Sequence, residues 1–134
     1  MDANASPLGT VTFVAVTLYV ADLDAALAWY AEKFGITPAA VGSDGHAYAA
    51  FSLGGSTVVL EPIEAALEPA ARGSENTTLN VVVDRDPVEV REDLLARGVE
   101  CGEIVRSGFA SFLVRDLDGN RFYVTRPLHP NEGA

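Results

Sequence analysis

The sequence predicts an α+β fold of two βαβββ modules whose mixed sheets curve as a half-barrel around a cleft. Three observations predict it. A β-branched strand runs into an amphipathic helix capped at both ends, three further strand-like runs follow that helix, and the whole order then occurs a second time. The first strand is read at residues 10–20, TVTFVAVTLYV, which is rich in β-branched and aromatic side chains and holds no breaker. Asp22 then stands before LDAALAWYAEKFG. There Leu23, Ala26, Leu27, Tyr30 and Phe34 fall at helical spacing, and Gly35 supplies the stop. Strands near residues 37–41, 46–53 and 56–61 follow, set apart by the turn-forming Ser43-Asp44-Gly45 and Gly54-Gly55.

Residues 62–75 are rich in Ala, Glu, Pro and Gly and read as a linker with one helical turn. The second module opens with a strand at 77–83. Asp86-Pro87 starts a helix through Leu94 and Leu95, and Gly98 ends it. Strands near 100–106, 109–115 and 121–125 complete the module. ADLDAALAWYAEKFGI lies over VDRDPVEVREDLLARGV, and YAAFSLGGSTVVLEP over FASFLVRDLDGNRFYVTRP with its closing proline, a repeat of about 65 residues. The expected division is one domain over 1–134, with module one at 10–62, a linker at 63–76, module two at 77–127 and a tail at 128–134. Two sheets each carrying a helix on one face leave the other face open, so the duplication itself predicts a concave site.

Of 134 residues, 49% are hydrophobic and 21% charged, enough apolar material for one core. The formal charge of −10 repels phosphate backbones and anionic lipid surfaces, which argues against nucleic acid and membrane partners and mildly favours neutral or cationic ligands. The one cysteine, Cys101, excludes an internal disulfide, and no Cys or His pair has zinc-site spacing. The opening MDANASPLGT lacks the pattern of a secretory leader, and no apolar run approaches the length of a membrane span, so a cytoplasmic location is expected.

VTLYVADLDAALAWYAEKFGI and VRDLDGNRFYV, in this order and at this separation, resemble the first strand and helix and the last hairpin of the vicinal oxygen chelate superfamily. That superfamily includes glyoxalase I, extradiol dioxygenases, fosfomycin-resistance enzymes and bleomycin-resistance proteins, and the resemblance covers nearly the whole chain. Its enzymes hold a divalent metal with four side chains, usually His, Glu, His or Gln, and Glu. Counting from Asp22, from Pro62, from Asp84 and from Asn120, the resemblance maps those positions onto Ala15, Val58, Thr78 and Tyr123. Methyl, isopropyl, hydroxyl and phenol groups cannot replace a divalent ion's water, so the resemblance implies neither metal nor other cofactor. Period-2 alternation sets Glu61 on the face opposite Val58, as a solvated strand-end carboxylate.

A cleft without a metal holds its ligand by stacking, shape and a few hydrogen bonds. The ligand-binding candidates are Phe13, Ala15, His46, Tyr48, Val58, Thr78, Asn80, Phe109, Arg121 and Tyr123, with Thr125 on the same face as Tyr123. His46 follows a turn and reads as solvated, His129 has no assigned role, Cys101 reads as a packed small residue, and Trp29 as helix packing. No catalytic residue is assigned. The expected function is non-catalytic sequestration of an aromatic natural product or antibiotic, as in the bleomycin-resistance branch, and the resemblance implies a homodimer. Two enzymatic alternatives stand beside it. One is a metal-dependent lyase or dioxygenase using Glu61, His46 or other ligands; the other is a metal-independent tailoring catalyst using Tyr123 or His46.

Overall fold

The computed structural model describes residues 7–10, 14–42, 47–65 and 78–128. The first module holds β1 (Ala15–Val20), α1 (Leu23–Trp29), β2 (Ala40–Gly42), β3 (Tyr48–Leu53) and β4 (Ser56–Pro62). The second holds β5 (Thr78–Val82), α2 (Pro87–Ala96), β6 (Val105–Arg106), β7 (Phe109–Arg115) and β8 (Arg121–Pro127). Each module makes its own unclosed four-stranded mixed sheet, in the orders β1-β4-β3-β2 and β5-β8-β7-β6. In both, the first strand runs parallel to the last and the remaining pairs are antiparallel. The repeat read from sequence is therefore a repeat of topology, and the fold is α+β.

The caps explain where the helices begin. Asp22 is extended (φ −135°) and its side chain accepts from the Ala25 amide at 3.1 Å, while Asp86 accepts from the Val88 amide at 3.0 Å in front of Pro87. Beyond Trp29 the first helix widens into one π turn over Tyr30–Phe34 before Gly35 ends it at φ 69°. Two strands are shorter than the pattern suggests. The run near 37–41 is strand only from Ala40, with the Ala39 amide donating to the Ala50 carbonyl at 2.8 Å just before it, and Pro38 has no amide hydrogen to extend the ladder further. Of 100–106 only Val105–Arg106 is strand, joined by one isolated bridge between Cys101 and Val114. The linker's helical turn is present at Ile63–Ala65, and residues 66–77 lie outside the described ones. Among the described residues no helix is long and apolar enough to cross a membrane.

One apolar core draws on both modules. Leu18, Val20, Phe51, Val58 and Leu60 of the first sheet join Phe112, Val114, Phe122 and Val124 of the second, with Ala26, Tyr30 and Leu94 from the helices. Tyr30 is the hinge of this packing. Its ring stacks on Phe51 (centroids 5.5 Å, 29°) and meets Phe122 edge-on at 6.2 Å, so one side chain contacts both sheets. Its hydroxyl donates to Asp116 at 2.6 Å. The same carboxylate accepts from the Asp118 and Asn120 amides and from Asn120 Nδ2. The Asp-Gly-Asn hairpin reaches back across the module boundary, because Asn120 Nδ2 also donates to the Tyr19 carbonyl and Asp118 accepts from the Ala21 amide. At the other ends of the helices, Lys33 donates to the Arg97 carbonyl and Arg97 to the Glu32 carbonyl. Each helix thus lends a cation to the other's C-terminal end.

Burial pushes the Tyr30 phenol far above its ordinary value, and the charge of Asp116 and the hydrogen bond to it push the same way. A phenol kept protonated in the folded chain but free to ionise when unfolded leaves stability intact below about pH 10. Above that, stability falls by up to about 1.4 kcal/mol per pH unit. Urea melts from pH 8 to 11 should therefore fall steeply above pH 10 in the parent protein, whereas Tyr30→Phe starts lower at pH 8 and falls less steeply. Parallel slopes would show that Tyr30 is not the group responsible.

Candidate functional site

Because the helices and the shared core occupy one face of each sheet, the other face of each is open. Strand registry fixes what lies on it. In the first sheet, Ala15, Thr17 and Tyr19 of β1 stand beside Thr57, Val59 and Glu61 of β4, with Ala50 and Ser52 of β3 next in line. This face is paved mostly with small side chains. In the second sheet Thr78, Asn80 and Val82 of β5 stand beside Arg121, Tyr123 and Thr125 of β8, and these beside Arg115, Leu113 and Ser111 of β7. That face is bulky and partly aromatic. Val82 is 66% exposed, Phe109 and Tyr123 each 42%, and Val105, paired with Ser111, 60%.

Of the residues singled out from sequence, Thr78, Asn80, Phe109, Arg121 and Tyr123 fall together on the second open face. Ala15 and Tyr48 fall on the first, Tyr48 one residue before the Ala49–Leu60 pair and so on the face of Glu61. Val58 does not belong with them. It is 5% exposed and packs in the core, one residue out of phase with the open face. The cause lies in the closing prolines. Both modules end in one, but Pro127 pairs with Phe109 on the open face whereas Pro62 stands beside the buried Val20 on the core face, so the same count of four residues reaches the open face at Tyr123 and the core face at Val58. Glu61 accordingly lies on the open face and not away from it. Phe13, His46 and His129 lie outside the described residues. Trp29 packs edge-on against Tyr30 and Phe34 on the helix side.

The polar groups of the second open face are linked. Thr125 Oγ1 donates to Asn80 Oδ1 at 2.9 Å and lies 2.9 Å from Ser111 Oγ, giving a hydrogen-bonded track across three strands. Ser111, 6% exposed, was missed by the sequence reading. A serine on a period-2 strand between Ala110 and Phe112 carries no signal until the neighbouring strand brings Thr125 opposite it. One row away, Arg115 and Arg121 stand directly opposite each other across β7 and β8.

The donor set bears on metal chemistry. Among the described residues, the open faces of β1, β4, β5 and β8 offer one carboxylate, Glu61, and no imidazole, with alanine, valine, threonine, asparagine, tyrosine and the cationic Arg121 among the rest. Among those residues no three His, Cys, Asp or Glu side chains gather as a metal-holding group. These side chains do not fit the four-ligand metal centre of the enzymes that the sequence resembles. Cys101 borders a shallow hollow of about 450 Å³ with Leu95, Glu100, Gly102, Leu113 and Arg115. Burial raises its thiol pKa while Arg91 pulls it back, so it has no activated thiolate.

The model of the Glyoxalase/Bleomycin resistance protein/Dioxygenase superfamily matches residues 12–124. A comparison with curated proteins finds no match. Among solved structures, the chain is similar to TnmS3, an antibiotic binding protein from Streptomyces sp. CB03234, at 19% identity and a TM-score of 0.73, covering 89% of this chain and 98% of that one. It is similar to TioX from Micromonospora sp. ML1 at 23% identity and a TM-score of 0.70, covering 88% and 100%. It is also similar to a lactoylglutathione lyase from Agrobacterium tumefaciens at 21% identity and a TM-score of 0.68, covering 87% and 94%. At these identities the likeness speaks for the fold. With a family model spanning both modules and the duplicated topology in place, the chain belongs to the glyoxalase, bleomycin-resistance and dioxygenase superfamily.

Proposed function

We propose that the protein is a metal-free binding protein for a planar aromatic natural product, held against the open face of the second sheet. The observation that carries this reading is that face itself. Tyr123, Phe109 and Val82 stand exposed around a short polar track, and Tyr123 occupies a position where the enzymes it resembles carry a carboxylate. Side chains of this kind grip by contact and stacking. The likeness to an antibiotic binding protein supports the same reading, and the donor set disfavours the lyase alternative.

The proposal includes a homodimer. Exposed apolar side chains contiguous on one sheet face mark a surface that something covers, and β1 and β5 each stand at a sheet edge. A second copy that brings a small-residue face (Ala15, Thr17, Thr57) opposite the bulky one leaves a slot between them for a flat guest.

Calorimetric titration with a panel of planar aromatic antibiotics tests the reading. At least one is expected to bind at about one site per chain with micromolar or better affinity and to be recovered unchanged. Tyr123→Ala is expected to weaken it at least tenfold, about 1.4 kcal/mol, without moving the melting temperature. Turnover of the guest, or about one tightly held divalent ion per chain after purification without chelator, would overturn the proposal.

A further inference from the structure

The polar track on the second open face has a direction. Thr125 has one hydroxyl proton and donates it to Asn80 Oδ1, so the 2.9 Å contact with Ser111 is made by the serine donating to Thr125. Ser111 is 6% exposed and its rotamer is confined, so the track is anchored at its inner end. Its outer end is the Asn80 carboxamide. With Oδ1 committed to Thr125, the Nδ2 group and its two protons are turned away from the track, on an exposed residue whose registry partner is Tyr123. A fixed amide beside a ring differs from a solvated one. It has already lost its rotational freedom and presents a donor at a set place next to a stacking platform.

We infer that Asn80 is a specificity-determining residue of this site: held by Thr125 and Ser111, its amide selects ring systems that stack on Tyr123 and carry a hydrogen-bond-accepting oxygen of the aryl-carbonyl class. This rests on the small-molecule reading above and adds to it the chemistry of the guest's edge. A guest edge without an acceptor covers the Asn80 amide protons and gives them nothing in place of water, whereas an aryl carbonyl oxygen there takes one of them. Thr125 and Ser111 are positioning residues, since they act through Asn80.

The probes are 9-fluorenone and fluorene, flat tricyclic molecules of nearly the same shape, of which only the first carries a carbonyl oxygen. Equilibrium dialysis against the full-length protein is expected to show 9-fluorenone binding five- to tenfold more tightly. Asn80→Leu should bring the ratio close to one by weakening the ketone alone. Thr125→Val should lower the ratio part of the way and Thr125→Ser restore it, which a merely structural role for the threonine would not produce. Thermal melts of each variant establish that it is folded. Equal affinities for the two probes, weakened together by Tyr123→Ala, would overturn the Asn80 assignment and leave the binding-face reading standing. Failure of both probes to bind the parent protein would overturn the two together.

Discussion

Replacing Asp116 by alanine is expected to remove about 3–5 kcal/mol of stability, a large share of what a domain of this size possesses. The carboxylate is 6% exposed and accepts four hydrogen bonds, from the Tyr30 hydroxyl, the Asp118 and Asn120 amides and the Asn120 side chain. Alanine leaves those donors in place with no acceptor, and Tyr30, 2% exposed, has no water to turn to. The damage is also non-local. Asp116 fixes the hairpin from which Asp118 and Asn120 reach Ala21 and Tyr19, so the junction of the two modules loosens with it. Tyr30→Phe, which keeps the ring packed on Phe51 and Phe122, is expected to cost only about 1–2 kcal/mol. Because both changes break the same bond, the double variant should be more stable than the sum of the single losses implies, by about 1 kcal/mol. Urea denaturation of the four proteins measures this. A loss under 1 kcal/mol for Asp116→Ala would mean that the hairpin, not the carboxylate, holds the junction.

Much of the fold was legible because its signals are local. Asp22 and Asp86 announce helix starts by capping chemistry that needs no partner outside the next three residues, and Gly35 and Gly98 end them at positive φ. The Asp-Gly-Asn hairpin and the second copy of the whole pattern were equally plain. What sequence could not supply was anything decided by registry between strands distant in the chain. The Asn80–Thr125–Ser111 track joins β5, β8 and β7 and exists only because Thr125 stands diagonal to Asn80 and opposite Ser111. Asn80 and Thr125 were on the correct face by alternation alone; their bond was invisible. The Tyr30–Asp116 bond spans 86 residues, and Tyr30 read simply as one more apolar position on a helix. The π turn after Trp29 has no sequence signature that alternation or helical spacing would detect.

The second large effect concerns β4, where the count from Pro62 went astray by one residue. Val58→Glu is expected to cost roughly 4–5 kcal/mol, and Val59→Glu no more than about 1 kcal/mol. Val58 is 5% exposed between Val16 of β1 and Phe51 of β3, and faces the core with Leu60. A carboxylate there is either ionised in an apolar core or held protonated with its hydroxyl unpartnered, and neither state is cheap. Val59 pairs with Thr17 and Ala50 on the open face, where a carboxylate can reach water past small neighbours. At a few degrees per kcal/mol, the first substitution should lower the melting temperature by roughly 15 °C and the second by no more than about 5 °C. The pair works as a registry test because the two changes are chemically identical and adjacent, so only the facing of the strand separates them. It also bears on the site. If Val59→Glu were the destabilising one, the small-residue face of the first sheet would be the buried face. The slot proposed between Ala15, Thr17 and Thr57 and the bulky face of a second copy would then have no surface on which to form.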